Sequence, residues 1–334
     1  MDTREFGLGL QTDLKPGEYG ALARVAEEAG FDVVTAFHDL GFQRSLPALL
    51  EIASATTRVR LGASCLNPYT LHPIELAQQV AALDLASRGR AFLGLAAGAW
   101  LDRVGIVQHR PFTHVTEAWA VIERLLAGDD GGFDGEVFSL APGTKLGGPI
   151  ERHAVPLLVG TWSPRLTRFA AAEADELKVG GSANPSMLTL ALERLRSGEQ
   201  AAGRAPGAVG LVVGAVTVVD EDGPRARNAA RHRVVNYLTV VADLDPTLEL
   251  DPELVRRIRS LVADGSRDEA AALLPDELLD IFAIAGTPEH VAARAEEIYA
   301  CGVRRIDFGP PHGLDRRRGV SLLAGEVVPS LRAR

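Results

Sequence analysis

The sequence contains few lysines, few cysteines and no long apolar run, and these shortages exclude several classes of protein. Arginine supplies nearly all of the positive charge, since lysine occurs three times in 334 residues, and acidic residues are interspersed to a net charge of −9, which argues against a nucleic-acid surface. Cys65 and Cys301, the two cysteines, are far apart in sequence and suit no zinc or disulfide framework. No stretch approaches the ~18 apolar residues of a membrane span, and the start MDTREFGLGL resembles neither a signal nor a transit peptide. We therefore expect a cytoplasmic protein without nucleic-acid or membrane partners.

What is present is ordinary globular composition arranged in an alternating pattern. Hydrophobic residues make up 46% of the chain and charged residues 24%. Short apolar or β-branched runs alternate with amphipathic helical stretches, as in a parallel sheet with crossover helices. The predicted strands are residues 6–10, 32–36, 58–64, 91–96, 155–160, 176–180, 210–220 and 304–308. The predicted helices are residues 18–29, 45–55, 73–86, 116–127, 164–174, 184–201, 224–241, 288–300 and 320–331.

Two segments interrupt this alternation. Residues 128–154 form a glycine-rich hairpin in our interpretation, and residues 243–283 form an excursion with helices near 252–263 and 267–274. At ~150 residues per domain the length suggests about two domains, but α/β barrels run past ~250 residues as one unit. The pattern therefore predicts an α/β fold, a (β/α)8 TIM barrel with insertions that spans residues 1–334 as one domain. A doubly wound sheet is the alternative, but GLGLQT after the first strand lacks the third glycine of a dinucleotide fingerprint.

Barrel enzymes place their chemistry at the C-terminal ends of the strands, and these ends can be read from the sequence. The second strand ends in His38 and Asp39, an adjacent couple suited to proton transfer; in the alternative, Asp39 caps a turn and His38 bonds a carbonyl. A flat or phosphorylated ligand could approach the main chain closely at the small-residue runs around Gly98 and at Gly180-Gly181. The helix start near Ser163 offers backbone N–H groups for a phosphate.

Lys178, near the end of the sixth strand, allows a different chemistry. A desolvated lysine at this position in a barrel could form a Schiff base, as in aldolases. The alternative is an exposed or ion-paired side chain beside Glu176 or Asp175. Pattern and spacing thus predict a small-molecule site without naming its reaction.

The segment VRLGASCLNPYTLHPIELAQQVAALDLASRGRAFLGLAAGAW, residues 59–100, resembles the bacterial luciferase-like family. Within that family it is most similar to the deazaflavin-dependent branch typified by methylenetetrahydromethanopterin reductase. GFDVVTAFHD, VGTWSPRLTRFAAAEADELKVGG and AIAGTPEHVAARAEEIYACGVRRIDFGP extend the likeness over nearly the whole chain. Members are (β/α)8 barrels that bind FMN or coenzyme F420 at the barrel mouth, and relatives suggest a homodimer. The resemblance to this branch implies F420 and hydride transfer to or from a small organic substrate.

The resemblance also implies roles for individual residues. Ser64-Cys65 matches a non-prolyl cis peptide behind the ring, with His38 or Asp39 managing the proton. The implied cofactor-binding residues are Ser64, Cys65, Asn67, Ala97, Gly98, Asp102, Trp162, Ser163, Arg165, Leu166, Gly180 and Gly181. An apolar wall is expected from Phe37, Cys65, Trp100 and Trp162.

The sequence departs from the family pattern at three places. The family usually reads aspartate-histidine where this chain has His38-Asp39, Leu71 replaces an arginine, and Ala99 stands where a sugar-phosphate dehydrogenase has a catalytic glutamate. Three alternatives therefore stay open beside the F420-dependent oxidoreductase. They are an FMN-dependent monooxygenase, a Schiff-base aldolase and a non-enzymatic F420 carrier.

Overall fold

A computed structural model describes residues 4–333 of the chain. Its strands are β1 (Glu5–Leu10), β2 (Val33–Ala36), β3 (Arg60–Ala63), β4 (Leu93–Ala96), β5 (Phe133–Asp134), β6 (Ser139–Leu140), β7 (Leu157–Gly160), β8 (Glu176–Gly180), β9 (Gly210–Val219), β10 (Ala283–Gly286) and β11 (Arg305–His312). Its α-helices are α1 (Glu18–Glu28), α2 (Ser45–Ala55), α3 (Pro73–Ser87), α4 (Pro111–Ala127), α5 (Pro164–Glu173), α6 (Pro185–Ala201), α7 (Gly223–Val241), α8 (Pro252–Ala263), α9 (Arg267–Ala272), α10 (Asp276–Phe282), α11 (Pro288–Ala300), α12 (Arg316–Leu322) and α13 (Val328–Arg332).

The main sheet is a barrel of parallel strands. Its order is β3-β2-β1-β11-β9-β8-β7-β4, and bridges between Leu61 and Ala91 and between Leu66 and Leu95 join β3 to β4 and close the ring. All eight predicted strands are present in this ring, so the predicted TIM barrel is confirmed and the doubly wound alternative is wrong. The expected hairpin within 128–154 is also present, as the antiparallel pair β5 and β6.

Several predicted boundaries differ from the structure, and the last strand, β11, continues four residues beyond its predicted end. The helix predicted from residue 116 begins at Pro111, a position where proline's missing N–H costs nothing. The last helix begins at Arg316, and a π-helical turn, Leu323–Val327, separates α12 from α13. The excursion ends in α10, and the unpredicted β10 follows it and pairs with β9 beyond the end of β8. Its sequence AIAG has only one β-branched residue, so it lacked a strong strand signal.

Alternation along the strands separates the core from the barrel interior. On β8, Leu177 and Val179 belong to the large apolar core, while Lys178 is buried on the interior side. A smaller apolar cluster of Val33, Phe92, Leu158 and Val212 is separate from that core. The helices start locally as expected: α3, α5 and α6 all carry proline in the first turn, which fixes their start at the C-terminal side of a strand. The loops between strand ends and helix starts therefore meet at one face of the barrel.

Candidate active site

A cavity of about 1050 Å³ opens at the C-terminal mouth of the barrel. Its walls come from the loops after β2, β3, β4, β7 and β8, with additions from the start of α4 and the end of α7. The sequence-predicted residues that line it are His38, Asp39, Ser64, Cys65, Asn67, Ala97, Gly98, Asp102, Trp162, Ser163, Arg165, Leu166 and Gly180. Residues distant in sequence thus converge on one space that is large enough for a cofactor.

Two predicted positions do not line the cavity. Gly181 has a φ of +79°, and a Cβ there would lie 3.0 Å from the ring of Tyr237, which stands between it and the cavity space. Phe37 was expected in the apolar wall, but its ring packs against Gly9 instead. A Cβ added to Gly9 would lie 3.0 Å from the Phe37 ring. The wall is formed instead by Trp100, Trp162 and Cys65, joined by Tyr237.

On the β3 and β4 side, the loop backbone is fixed by side-chain hydrogen bonds. The Ser64–Cys65 peptide bond is cis, as the resemblance implied. The Asn67 side-chain oxygen accepts from the N–H groups of Tyr69 (3.1 Å) and Thr70 (3.0 Å), so the amide nitrogen of Asn67 is the group that can face a ligand. Asn67 therefore both stabilises this turn and lines the cavity.

A residue that the sequence did not reveal holds the β4 loop. Gln108 donates from Nε2 to the carbonyl oxygens of Ala97 (2.6 Å) and Gly98 (3.1 Å). Gly98 has a φ of +88°, which favours glycine, and a Cβ there would lie 3.1 Å from Asn67. A lone glutamine in a loop carries no sequence signal for this role.

The β7 side offers a place for an anion. Helix α5 starts at Pro164 beside the cavity, and its first N–H groups lack intrahelical acceptors and lie at the positive end of the helix dipole. The Arg165 guanidinium stacks 4.3 Å above the Phe112 ring and lines the same wall. A Cβ added at Gly180 would meet nothing within 4 Å, so the space in front of this strand end is open. These features fit a phosphate group.

His38 is held in a single neutral form. Its Nε2 lies 2.9 Å from Nη1 of Arg44, and its Nδ1 lies 2.9 Å from Oγ of Ser45. Arginine only donates, so Nε2 accepts and the neutral ring carries its proton on Nδ1; this nitrogen faces Ser45 Oγ, and the backbone nitrogen of Ser45 lies farther away at 3.4 Å. Burial and the charge of Arg44 lower the pKa of His38 to about 4. Both ring nitrogens are thus occupied at neutral pH.

Asp39 points to other partners, and no hydrogen bond joins it to His38 in the part of the chain that the structure describes. Gln11 donates from Nε2 to its carboxylate at 2.8 Å. Burial raises the pKa of Asp39, although the Gln11 hydrogen bond and the charge of Lys178 act in the opposite direction. Asp39 is therefore the member of the predicted couple that can exchange a proton with a ligand.

Lys178 forms the floor of the cavity and belongs to a buried ion network. Its Nζ donates to Asp307 at 2.6 Å and to Ser64 Oγ at 2.8 Å, and its residue is only 5% exposed. Asp307 also accepts from Arg305 (2.8 Å), which in turn bonds Glu176 (2.5 Å). An ammonium group paired in this way has no free electron pair for a Schiff base. The alternation of Arg305 and Asp307 along β11 was the sequence signal for this network.

The residues that the structure describes contain neither a candidate metal-binding cluster nor a membrane-spanning helix. Among residues 4–333, no group of three or more histidine, cysteine, aspartate or glutamate side chains is arranged to hold a metal ion. In the same residues, no helix is both long and apolar enough to cross a bilayer.

A parallel β/α barrel with an open cavity at its C-terminal mouth is typical of enzymes that bind a small molecule there. Comparisons with known proteins identify the family. The model of the family described as luciferase-like monooxygenase matches residues 2–305, and the chain belongs to this family. It is 31% identical to 5,10-methylenetetrahydromethanopterin reductase from Archaeoglobus fulgidus, over 98% of this chain and 100% of the relative. It is 28% identical to F420-dependent glucose-6-phosphate dehydrogenase from Nakamurella multipartita, over 95% and 93%. The structure of the F420-dependent tetrahydromethanopterin reductase from Methanopyrus kandleri matches with a TM-score of 0.90 and 26% identity, over 98% of this chain and 99% of that one.

Proposed function

We propose that this protein is an F420-dependent oxidoreductase that transfers a hydride between the deazaflavin and a small organic substrate in the mouth cavity. The observation that carries the proposal is the convergence of the predicted cofactor-binding residues on one open cavity. The relatives with F420 in their names match over nearly the whole chain, which supports the same cofactor. The family's FMN-dependent monooxygenases make FMN the alternative cofactor.

The residues present fit F420 in two parts of the cavity. The start of α5 and Arg165 would hold the phosphate, and Gly180 leaves the room for it. Asn67, Gly98 and the Ser64–Cys65 peptide would line the ring, and Asp102 would contact the tail. When bound, F420 supplies the hydride acceptor or donor, while the protein supplies position and polarity.

The remaining chemistry is proton handling and exclusion of water. Asp39 is half-buried and accepts a hydrogen bond from Gln11, and a carboxyl oxygen of Asp39 holds the proton that the substrate gains or loses. His38 acts differently from Asp39, because its ring positions Arg44. Trp100, Trp162 and Tyr237 provide apolar surface that displaces water from the reacting atoms.

Ligand-dependent stabilisation tests the cofactor assignment. We expect F420 to raise the melting temperature, since ligand at about 100 times its Kd stabilises the folded state by about 2.7 kcal/mol. FMN at the same concentration should leave the melting temperature nearly unchanged. A clear shift with FMN and none with F420, measured by scanning fluorimetry, would contradict the proposal and favour the monooxygenase alternative.

Turnover separates an enzyme from a carrier. With F420 bound, loss of the cofactor's visible absorbance on addition of substrates from a broad panel indicates catalysis, and binding without turnover favours the carrier. Residues 1–334 acting as one domain, assembly as a homodimer and location in the cytoplasm are further parts of this proposal. Analytical ultracentrifugation of the purified chain tests the dimer.

A further inference from the structure

The outer part of the cavity is an apolar pocket that none of the predicted cofactor residues forms. One side is the loop 40–44 after β2, and the other is the C-terminal end of α7 together with Leu244, three residues beyond it. We call this part the outer pocket. Its apolar residues are Leu40, Phe42, Tyr237, Val240, Val241 and Leu244. Phe42 is 49% exposed and Leu244 44%, so large apolar surface faces solvent at the rim until a ligand covers it.

Arg44 is exposed and places a positive charge at the solvent-facing edge of this pocket. Within residues 4–333 the partner of its guanidinium is neutral His38, and no carboxylate pairs with it. Two of the other cations that line the cavity are paired: Arg110 with Glu136 at 2.6 Å, and Lys178 with Asp307. The third, Arg165, stacks on Phe112 in the phosphate-binding wall. The charge of Arg44 is therefore available to an anion from the ligand.

Arg44 and the phosphate-binding wall lie on different sides of the barrel. Arg44 follows β2 and Arg165 follows β7, and β3 and β4 stand between these two strands in the closed ring. Asp39 lies away from Arg44, because its partners are Gln11 and the nearby Lys178 at the barrel floor. The pocket thus has a proton-exchanging carboxyl at its inner end and an arginine at its outer end.

We propose that the outer pocket binds a substrate with a planar or apolar body and a carboxylate or similar anion at its outer end, held by Arg44. This inference rests on the proposed function, because it places the substrate opposite the cofactor's phosphate site. His38 is a positioning residue that fixes the guanidinium by accepting one of its hydrogen bonds. The apolar body covers Phe42 and Leu244, and the reacting atom lies towards Asp39.

An acidic tail of the cofactor is the other source of an anion for Arg44, and a pair of probes distinguishes the two. The probes are 2-naphthoate and the neutral 2-naphthalenemethanol, titrated into protein saturated with F420. The readout is probe fluorescence and quenching of tryptophan emission, to which Trp100 and Trp162 in the cavity wall contribute. We expect naphthoate to bind about tenfold more tightly than the alcohol, as a charged hydrogen bond would give.

Variants assign this preference to Arg44. Arg44→Gln should reduce the difference between the two probes to within about twofold and leave F420 affinity unchanged. Arg103→Gln removes the same charge from an arginine that stacks on Trp100 and does not line the cavity, and this variant should keep the preference. Arg165→Gln should weaken F420 binding, but protein saturated with F420 should still bind 2-naphthoate more tightly than the alcohol.

Three results would overturn the inference. These are equal affinities for the two probes, no binding of either probe, and loss of F420 affinity in Arg44→Gln, which would assign Arg44 to the cofactor tail. If wild-type protein fails to bind F420 at all, the proposed function fails instead, and the two failures are therefore distinguishable.

Discussion

At the residue scale, adjacent His38 and Asp39 show how burial and partners give neighbouring side chains different roles. Burial, together with the charge of Arg44 at Nε2, lowers the pKa of His38 to about 4. Asp39 is half-buried as well, but burial raises the pKa of a carboxyl group, so its protonated form becomes more populated. The reversed order of the pair relative to the family is consistent with Asp39 as the proton carrier and His38 as the support of Arg44.

Substitution of Asp39 should separate activity from stability. Asp39→Asn keeps an oxygen that accepts from Gln11 but cannot exchange a proton, so we expect turnover to fall about 10²- to 10⁴-fold with F420 affinity retained. The same variant should unfold at a higher temperature than wild type at neutral pH, because a buried charge is removed. Unchanged turnover would exclude Asp39 as the proton carrier.

The pH dependence of this stability difference has a definite sign. The folded pKa of Asp39 lies above its ordinary value of 3.8, so the folded state loses stability as the pH rises through the interval between the two values. The gain of Asp39→Asn over wild type should therefore be absent below pH 3.8 and grow above it. Thermal melts at several pH values measure this directly.

At the element scale, the strand ends of the barrel leave room where a ligand is expected. At the end of β8, a Cβ added to Gly180 would meet no protein atom within 4 Å. At the end of β7, a Cβ added to Gly160 would lie 2.8 Å from Sγ of Cys65. Small residues thus leave open space at one strand end and allow close packing at the next.

Gly180→Ala tests whether the open space belongs to the cofactor. A Cβ there meets no protein atom within 4 Å, so the fold should tolerate it and the melting temperature without ligand should stay unchanged. F420 should bind at least about tenfold more weakly, because the methyl group enters ligand space. Gly148→Ala is the matched control, since its Cβ also meets nothing and it does not line the cavity. Equal F420 affinity in both variants would remove Gly180 from the cofactor site.

At the scale of the whole molecule, an ion network joins strands across the barrel. Arg60 on β3 bonds Glu5 on β1 and Glu176 on β8, and Arg305 on β11 bonds Glu176 in turn. Glycines make space for these long side chains: a Cβ at Gly214 would lie 2.7 Å from Lys178. The floor of the active site is thus part of the connection between distant strands.

Removal of Asp307 should destabilise the whole barrel. Asp307→Ala leaves Lys178 and Arg305 buried without this carboxylate, which costs about 3–5 kcal/mol of unfolding free energy. Asp307→Asn should lose less, because its oxygen still accepts a hydrogen bond. Urea unfolding provides the measurement, and Glu253→Ala, which breaks the exposed pair with Arg256, should have no resolvable effect. Similar stability of the Asp307 and Glu253 variants would show that the network is dispensable.

The same network predicts loss of stability in acid. Burial alone would raise the pKa of both Glu176 and Asp307. The charges of Arg305 and Arg60 lower the pKa of Glu176, and the charges of Arg305 and Lys178 lower the pKa of Asp307. Carboxylates with lowered pKa stabilise the fold above their ordinary pKa, and this stabilisation is lost as the pH falls through the folded values. Acid unfolding of Asp307→Asn should accordingly show a weaker pH dependence than that of wild type.

The sequence by itself determined the fold class, the eight barrel strands and the loops that meet at the mouth, because hydrophobic period, proline position and local motifs are properties of neighbouring residues. It also determined the family, through the long segment from residue 59 to residue 100. It missed β10, whose short run of small residues has little strand preference without a partner.

Only the tertiary structure decided how the mouth works. The contact of Arg44 with His38, the support of the β4 loop by Gln108 and the replacement of Phe37 by Tyr237 in the wall all depend on side-chain direction after folding. The partner of Lys178 is Asp307, 129 positions away, rather than the neighbouring Glu176 or Asp175. Ionisation follows from burial and from charges brought together across the barrel, so the roles of the titratable groups are set by long-range packing.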